Sequence, residues 1–272
     1  MQRNHLKFFK KNPSLENAAS QLCTASQILE DVYSFWLKEI GQERKFHRKQ
    51  WEYVYILQIL RQFNLLRKNV RGLGFGCGKE PLPAVMAKYG CDVMATDIAP
   101  LEKGDEYWGA RSAVDIFSPG VCPMDIFLER VSFESLDMND IPQKHFDSYD
   151  YLWSSCALEH LGSRKAGLDF IVESSKCLRP GGIAVHTTEL NTSSRGEAFE
   201  SPGLSLYQKS DIKLLQKELK KAGCSLLPVN WDQGNLLEDN HVDLPPYEEK
   251  THLKLLIENY VVTSLGLVLI RH

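Results

Sequence analysis

Residues 72–80, Gly72-Leu-Gly-Phe-Gly-Cys-Gly-Lys-Glu80, carry glycine at every second position from 72 to 78. The apolar run before them, 70–75, reads as a strand, and 81–89 reads as a helix with proline in its first turn. Glycines spaced this way let the backbone approach a ligand closely and turn sharply into a helix. The first N–H groups of that helix have no intrahelical partner and attract polar groups. The next apolar run, 91–96, ends on Asp97, which lies 21 positions after Gly76. A carboxylate there can accept both hydrogen bonds of a ribose diol. A dinucleotide fingerprint fails in every register, because the sixth position of a pattern starting at Gly72, Gly74 or Gly76 is Cys77, Lys79 or Pro81. A phosphate-binding P-loop fails as well, since Gly78-Lys79 is followed by Glu80.

The same alternation continues to the carboxyl terminus. Strands are expected at 131–136, 149–154, 182–187, 224–229 and 261–270, with helices at 166–177 and 210–222. Strands separated by helices predict an α/β fold with a doubly wound, mostly parallel sheet of about seven strands. Residues 1–67 read as an α-helical N-terminal extension, with Ile56, Ile59, Leu60 and Phe63 forming one apolar stripe. Residues 68–272 then form one domain, with insertions at 101–129 and 230–258. Connections of that length are usually lids or substrate walls.

Composition removes several classes of function. A net charge of −3 lacks the dense basic surface that nucleic-acid binding requires. No apolar run approaches the roughly 18–20 residues of a membrane helix, and the polar opening residues are not a signal peptide. The seven cysteines are scattered, without a C-x-x-C pair, which points to a reducing, cytoplasmic setting and no structural zinc.

With these elements in place, the chain resembles the class I S-adenosylmethionine-dependent methyltransferases, whose sheet is Rossmann-like. The resemblance rests on Gly76-Cys77-Gly78, Asp97, Leu136-Asp137-Met138-Asn139, the strand at 149–154 and Leu178-Arg-Pro-Gly-Gly182, in that order. It implies S-adenosylmethionine as cofactor and S-adenosylhomocysteine as product. Gly74, Gly76 and Gly78 would line the methionine part, Asp97 and Ile98 the ribose, Asp137 and Met138 the adenine, and Ser154 the sulfonium side. The acidic residue usual two positions before the first loop glycine is Gly74 here, so the cofactor's amino group needs another acceptor, Glu80 or a residue of the amino-terminal helices, and the resemblance does not say which. More closely, Arg48-Lys-Gln-Trp-Glu-Tyr53, Trp153-Ser-Ser-Cys-Ala-Leu-Glu-His160 and His186-Thr-Thr-Glu189 resemble a bacterial subgroup often associated with surface polysaccharide assembly.

The expected reaction is methylation of an oxygen on a small or glycan-linked acceptor; a homodimer would be compatible with it. Ligands of open α/β sheets sit beyond the carboxyl ends of the strands, which selects Glu159 and His160, with His186 and Glu189 after them. His160 is the expected general base, with Glu159 orienting it; His186 is the kind of histidine that strands bury in a core. Related enzymes with Glu-x-x-Glu-His at this place hold Mg²⁺, but Cys156 replaces the first carboxylate and is a poor Mg²⁺ ligand, so no metal is expected. Asp243, Tyr247 and His252 could reach an acceptor, and Trp51 and Tyr53 could cover the cofactor. The competing readings are a non-catalytic cofactor-binding protein and an RNA methyltransferase.

Overall fold

The computed structural model describes residues 12–98, 109–193 and 198–272. Residues 1–11 of the N-terminal extension and 101–108 of the first insertion lie outside them. Among the described residues one sheet has ten strands. In chain order these are β1 (Ser20–Leu22), β2 (Arg71–Phe75), β3 (Asp92–Asp97), β4 (Val131–Ser135) and β5 (Tyr149–Ser155). They continue with β6 (Leu178–Asn191), β7 (Cys224–Leu226), β8 (Val229–Asn230), β9 (Leu255–Ile257) and β10 (Tyr260–Arg271).

The strands lie in the order β4-β3-β2-β5-β6-β10, parallel up to β6, with β10 antiparallel to it. The chain therefore starts in the middle at β2, runs outward to β4, and returns to β5 on the other side. Such a reversal opens a crevice at the carboxyl ends of β2 and β5, where ligands of doubly wound sheets bind. Glycine is required in β2 for packing. A Cβ at Gly72 would collide with the ring of Tyr151, and one at Gly74 with Trp153 and the Cys77 sulfur. Tyr151 and Trp153 are the register partners of these glycines on β5, so the missing side chains make room for two buried aromatics.

One face of the sheet is covered by helices α1 (Asp31–Ile40), α2 (Arg48–Gln62), α3 (Leu82–Lys88) and α4 (Met124–Arg130), packed over Tyr151, Trp153, Ile183 and Val185. The other carries α5 (Arg164–Ser174) and α6 (Lys209–Lys221), packed over Leu73, Phe75, Leu152 and Ala184. α2 is buried along almost its whole length, so its charged residues must find partners inside the protein. His47 caps it, its Nδ1 accepting from Lys49 N–H at 3.1 Å.

The seven expected strands are present, and three short ones are added. β1 falls in a stretch expected to be helical and pairs antiparallel with β10, while β8 pairs with β1. Two- and three-residue strands carry too little alternation to be read from sequence, and β1 exists because β10 offers an unpaired edge. β6 begins at Leu178, so the Leu178–Gly182 turn is its first part. No helix among the described residues is long and apolar enough to cross a membrane.

Candidate functional site

At the end of β2 the chain enters the glycine loop, where Gly76 and Gly78 have φ of 58° and 50°. A side chain at either position would be strained. A Cβ at Gly76 would lie 2.7 Å from Ala157 Cβ and 3.3 Å from Met138 Sδ, filling the space between the β4 and β5 ends. Asp97, at the tip of β3, closes the loop. Its carboxylate accepts from the N–H groups of Gly78 (3.0 Å), Ile98 (2.9 Å) and Ala110 (3.0 Å), and burial pushes its pKa up. Met138 is buried, whereas Asp137 is exposed and accepts from Asn139 N–H at 2.8 Å. Gly76, Gly78, Asp97 and Met138 thus surround one crevice, with Asp137 on its rim and Ile98 half exposed beside it.

Ser154 is placed elsewhere. It points to the α5 side, is fully buried, and its hydroxyl bonds His186 Nδ1 at 2.8 Å. A two-residue side-chain period sends Ser155 to the α2 side and Ser154 away from it. His186 is a core residue, its ring edge-on to Phe170 and its pKa pushed down to about 3 by burial. Trp51 is also core, donating to Gln27 Oε1 at 2.9 Å and stacked on Tyr55.

Glu80 follows the loop, 5% exposed, and accepts from Trp153 Nε1 at 2.6 Å. Burial pushes its carboxyl up to about 8 from the ordinary 4.5. A carboxyl raised in this way stabilises the fold fully only below the ordinary value, and that contribution disappears as pH rises through 8. Glu80→Gln is therefore expected to match the parent near pH 4.5 and to exceed it by roughly 5 kcal/mol above pH 8. Urea unfolding at both pH values measures the gap, and a gap independent of pH would refute the assignment.

On the other side of the crevice lies a charged cluster that sequence reasoning did not assemble. Glu52 of α2 is fully buried. It accepts from Ser155 Oγ (3.1 Å), Thr187 Oγ1 (3.1 Å), Cys156 Sγ (3.0 Å) and Ser264 Oγ. Arg48 and Lys49 each approach it at 3.4 Å. Burial alone would raise the Glu52 carboxyl, but Lys49 and Arg48 outweigh it and hold the pKa at about 2. One carboxylate thus ties α2 to β5, β6 and β10. Arg48 also pairs with Glu189 at the end of β6, and Lys49 Nζ donates to Ser155 O at 3.1 Å. The readable signal was Arg48, Lys49 and Glu52 among apolar neighbours in one helix.

Glu159 is 1% exposed and accepts from Thr188 Oγ1 at 3.0 Å; burial first, then the charge of Glu189, pushes its pKa up. Its neighbour His160 is exposed, with Nδ1 at 2.7 Å from Gly203 O. Tyr207 supports this turn by donating to Leu158 O at 3.0 Å. The late segment is anchored to the start of α2. Asp243 accepts from His252 Nδ1 at 2.6 Å, His252 stacks on His47 at 4.6 Å, and Tyr247 donates to Leu256 O at 2.9 Å. Asp243, His252 and Tyr247 therefore have partners within the protein, and Tyr53, half-buried, stands among Lys49, Glu80 and Glu52.

A family model described as a methyltransferase domain matches residues 47–252, from the cap of α2 to His252. No curated protein matches the chain. Among solved structures, magnesium protoporphyrin IX methyltransferase from Synechocystis PCC 6803, solved with bound S-adenosylhomocysteine, is 13% identical. That match covers 88% of this chain and 94% of that one, with a TM-score of 0.48. A S-adenosylmethionine-dependent methyltransferase from Methanosarcina mazei is 14% identical over 78% of this chain and 96% of its own, with a TM-score of 0.49. The [4+2]-cyclase SpnF is 19% identical over 64% of this chain, which spans 60% of its length, with a TM-score of 0.42. Because the family match runs through both walls of the crevice and over well more than half of the chain, the chain belongs to the methyltransferase domain family and is a S-adenosylmethionine-dependent methyltransferase.

Proposed function

We propose that the protein methylates a hydroxyl oxygen on a small or carbohydrate-linked acceptor, with His160 as general base. The observation that supports this reading is the bond between His160 Nδ1 and Gly203 O. A carbonyl only accepts, so Nδ1 carries the proton and Nε2 of the neutral ring keeps its lone pair. An exposed imidazole fixed in that tautomer can take the proton of an acceptor hydroxyl. Glu159, buried beneath the same turn, positions it through the bond to Thr188.

The glycine loop suits the methionine end of the cofactor, because Gly76 and Gly78 hold positive φ and carry no side chain, which leaves their backbone free for close approach by a ligand. Asp97 would hold the ribose diol, Asp137 and Met138 the adenine, and Glu80 the amino group. When bound, S-adenosylmethionine supplies an electrophilic methyl group on its sulfonium. The chain's own residues then orient the acceptor and remove its proton. The seven cysteines are free, as suits an enzyme of the cytoplasm, including one acting in polysaccharide assembly.

The test measures S-adenosylhomocysteine formed with a panel of mono- and oligosaccharides, phenols and amines. Turnover on hydroxyl acceptors is expected. His160→Ala should lower kcat about 10²- to 10⁴-fold while the affinity for S-adenosylmethionine stays within a factor of about two. Turnover confined to amines, or a His160→Ala variant as active as its parent, would sink the proposal.

A further inference from the structure

Cys156, at the end of β5, sits beside two carboxylates that arrive from different parts of the chain. Glu159 follows it by one turn, and Glu189 is brought in at the end of β6. One ligand atom from each of the three lies within 4.8 Å of the others. Glu159 and Glu189 are 1% and 5% exposed. Among the described residues Glu159 Oε1 and Glu189 Oε2 are buried with no hydrogen-bond partner, while the second oxygen of each is held by Thr188 and Arg48. Buried polar atoms are rarely left without partners, because each one has given up its water without a replacement. Two of them beside one sulfur are a deficit that a single cation removes.

We propose that Cys156, Glu159 and Glu189 form a binding site for a divalent transition metal, with Zn²⁺ as the ion the ligand set fits best. A sulfur ligand disfavours Mg²⁺ and Ca²⁺, which take oxygen, and favours a borderline-soft ion. Three protein ligands leave a fourth position open, the pattern of reactive rather than purely structural zinc sites. The charges agree. With the thiolate and both carboxylates ionised, these three and Glu52 carry four negative charges beside Arg48 and Lys49, with His160 next to Glu159, so a divalent ion offsets the excess. The sequence alone argued against a metal because the first carboxylate of the Glu-x-x-Glu-His pattern is Cys156. The fold supplies the missing carboxylate as Glu189, 33 positions away in sequence.

The site adjoins His160, but its test requires neither cofactor nor acceptor. The full-length chain, stripped with chelator and dialysed against Zn²⁺, is expected to retain one equivalent of metal. Substitution by Co²⁺ should produce a thiolate-to-metal charge-transfer absorption. Cys156→Ser should abolish that absorption and weaken Zn²⁺ at least tenfold. Glu189→Gln should weaken Zn²⁺ while the absorption persists. Thermal melts of each variant identify any that fail to fold, and the wild-type stoichiometry and absorption decide the matter without them. Wild-type protein that retains no Zn²⁺, or a charge-transfer band that survives in a folded Cys156→Ser variant, would overturn the proposal. Calorimetry with S-adenosylmethionine on the metal-free protein keeps the two readings apart, since cofactor binding without metal binding overturns only the metal.

Discussion

Glu52→Leu is expected to destabilise the protein by about 3–5 kcal/mol, the range for removing one partner of a buried ion pair. For a chain of this size that is a fall in melting temperature on the order of 10 °C. The carboxylate is fully buried and compensates Arg48, which is itself almost buried, and Lys49, which is one-third exposed. Leucine would leave both cations without this charge and deprive Ser155, Thr187, Cys156 and Ser264 of their acceptor. The pH dependence supports the same magnitude. A carboxyl held at about 2 rather than 4.5 gains about 3 kcal/mol on folding. Because the folded value is depressed, that contribution is complete above the ordinary value and fades as pH falls toward 2. Denaturant unfolding of Glu52→Leu should therefore show a large deficit at pH 7 that narrows below pH 4. A variant within about 1 kcal/mol of the parent at pH 7 would show that the network is not what holds α2 on the sheet. Replacing Arg48, Lys49 and Glu52 together by apolar residues, with Glu189→Gln to neutralise the other partner of Arg48, should restore part of the loss.

Asp97→Ala is expected to weaken S-adenosylmethionine binding by about 10²- to 10⁴-fold. On the proposed reading the carboxylate accepts both hydroxyls of the ribose, and hydrogen bonds to a charged acceptor contribute about 1.5–3 kcal/mol each. The substitution also releases the N–H groups of Gly78, Ile98 and Ala110, so the glycine loop itself should loosen. Asp97→Asn separates the two effects. It keeps an acceptor for the backbone and loses the charge, and is expected to lie between the parent and alanine. Isothermal titration with S-adenosylmethionine and S-adenosylhomocysteine provides the numbers. Affinity within threefold of the parent for Asp97→Ala would remove Asp97 from the cofactor site.

The two walls of the crevice were not equally legible. The glycine-loop wall is built from a contiguous loop and strand ends whose spacing is written in the chain, so Gly76, Gly78 and Asp97 could be named before their contacts were known. Ser154 shows the limit even there. A strand presents neighbouring residues to opposite faces, and an assignment off by one residue exchanges the crevice for the core. The charged wall is assembled from α2, β5, β6 and β10, elements separated by up to 212 positions, as in the bond between Ser264 and Glu52. No local pattern encodes such a meeting.

The amino-acid sequence by itself determined the α/β alternation, the glycine loop and the acidic residue that ends β3. Each depends on local backbone demands, positive φ, side-chain period and turn chemistry, that operate within a few residues of one another. Only the tertiary structure decided that Arg48, Lys49 and Glu52 are inside, that Glu80 is a buried, proton-holding carboxyl, and that Glu189 joins Cys156 and Glu159. Burial and desolvation set what a charged group does, and both are properties of the packed whole.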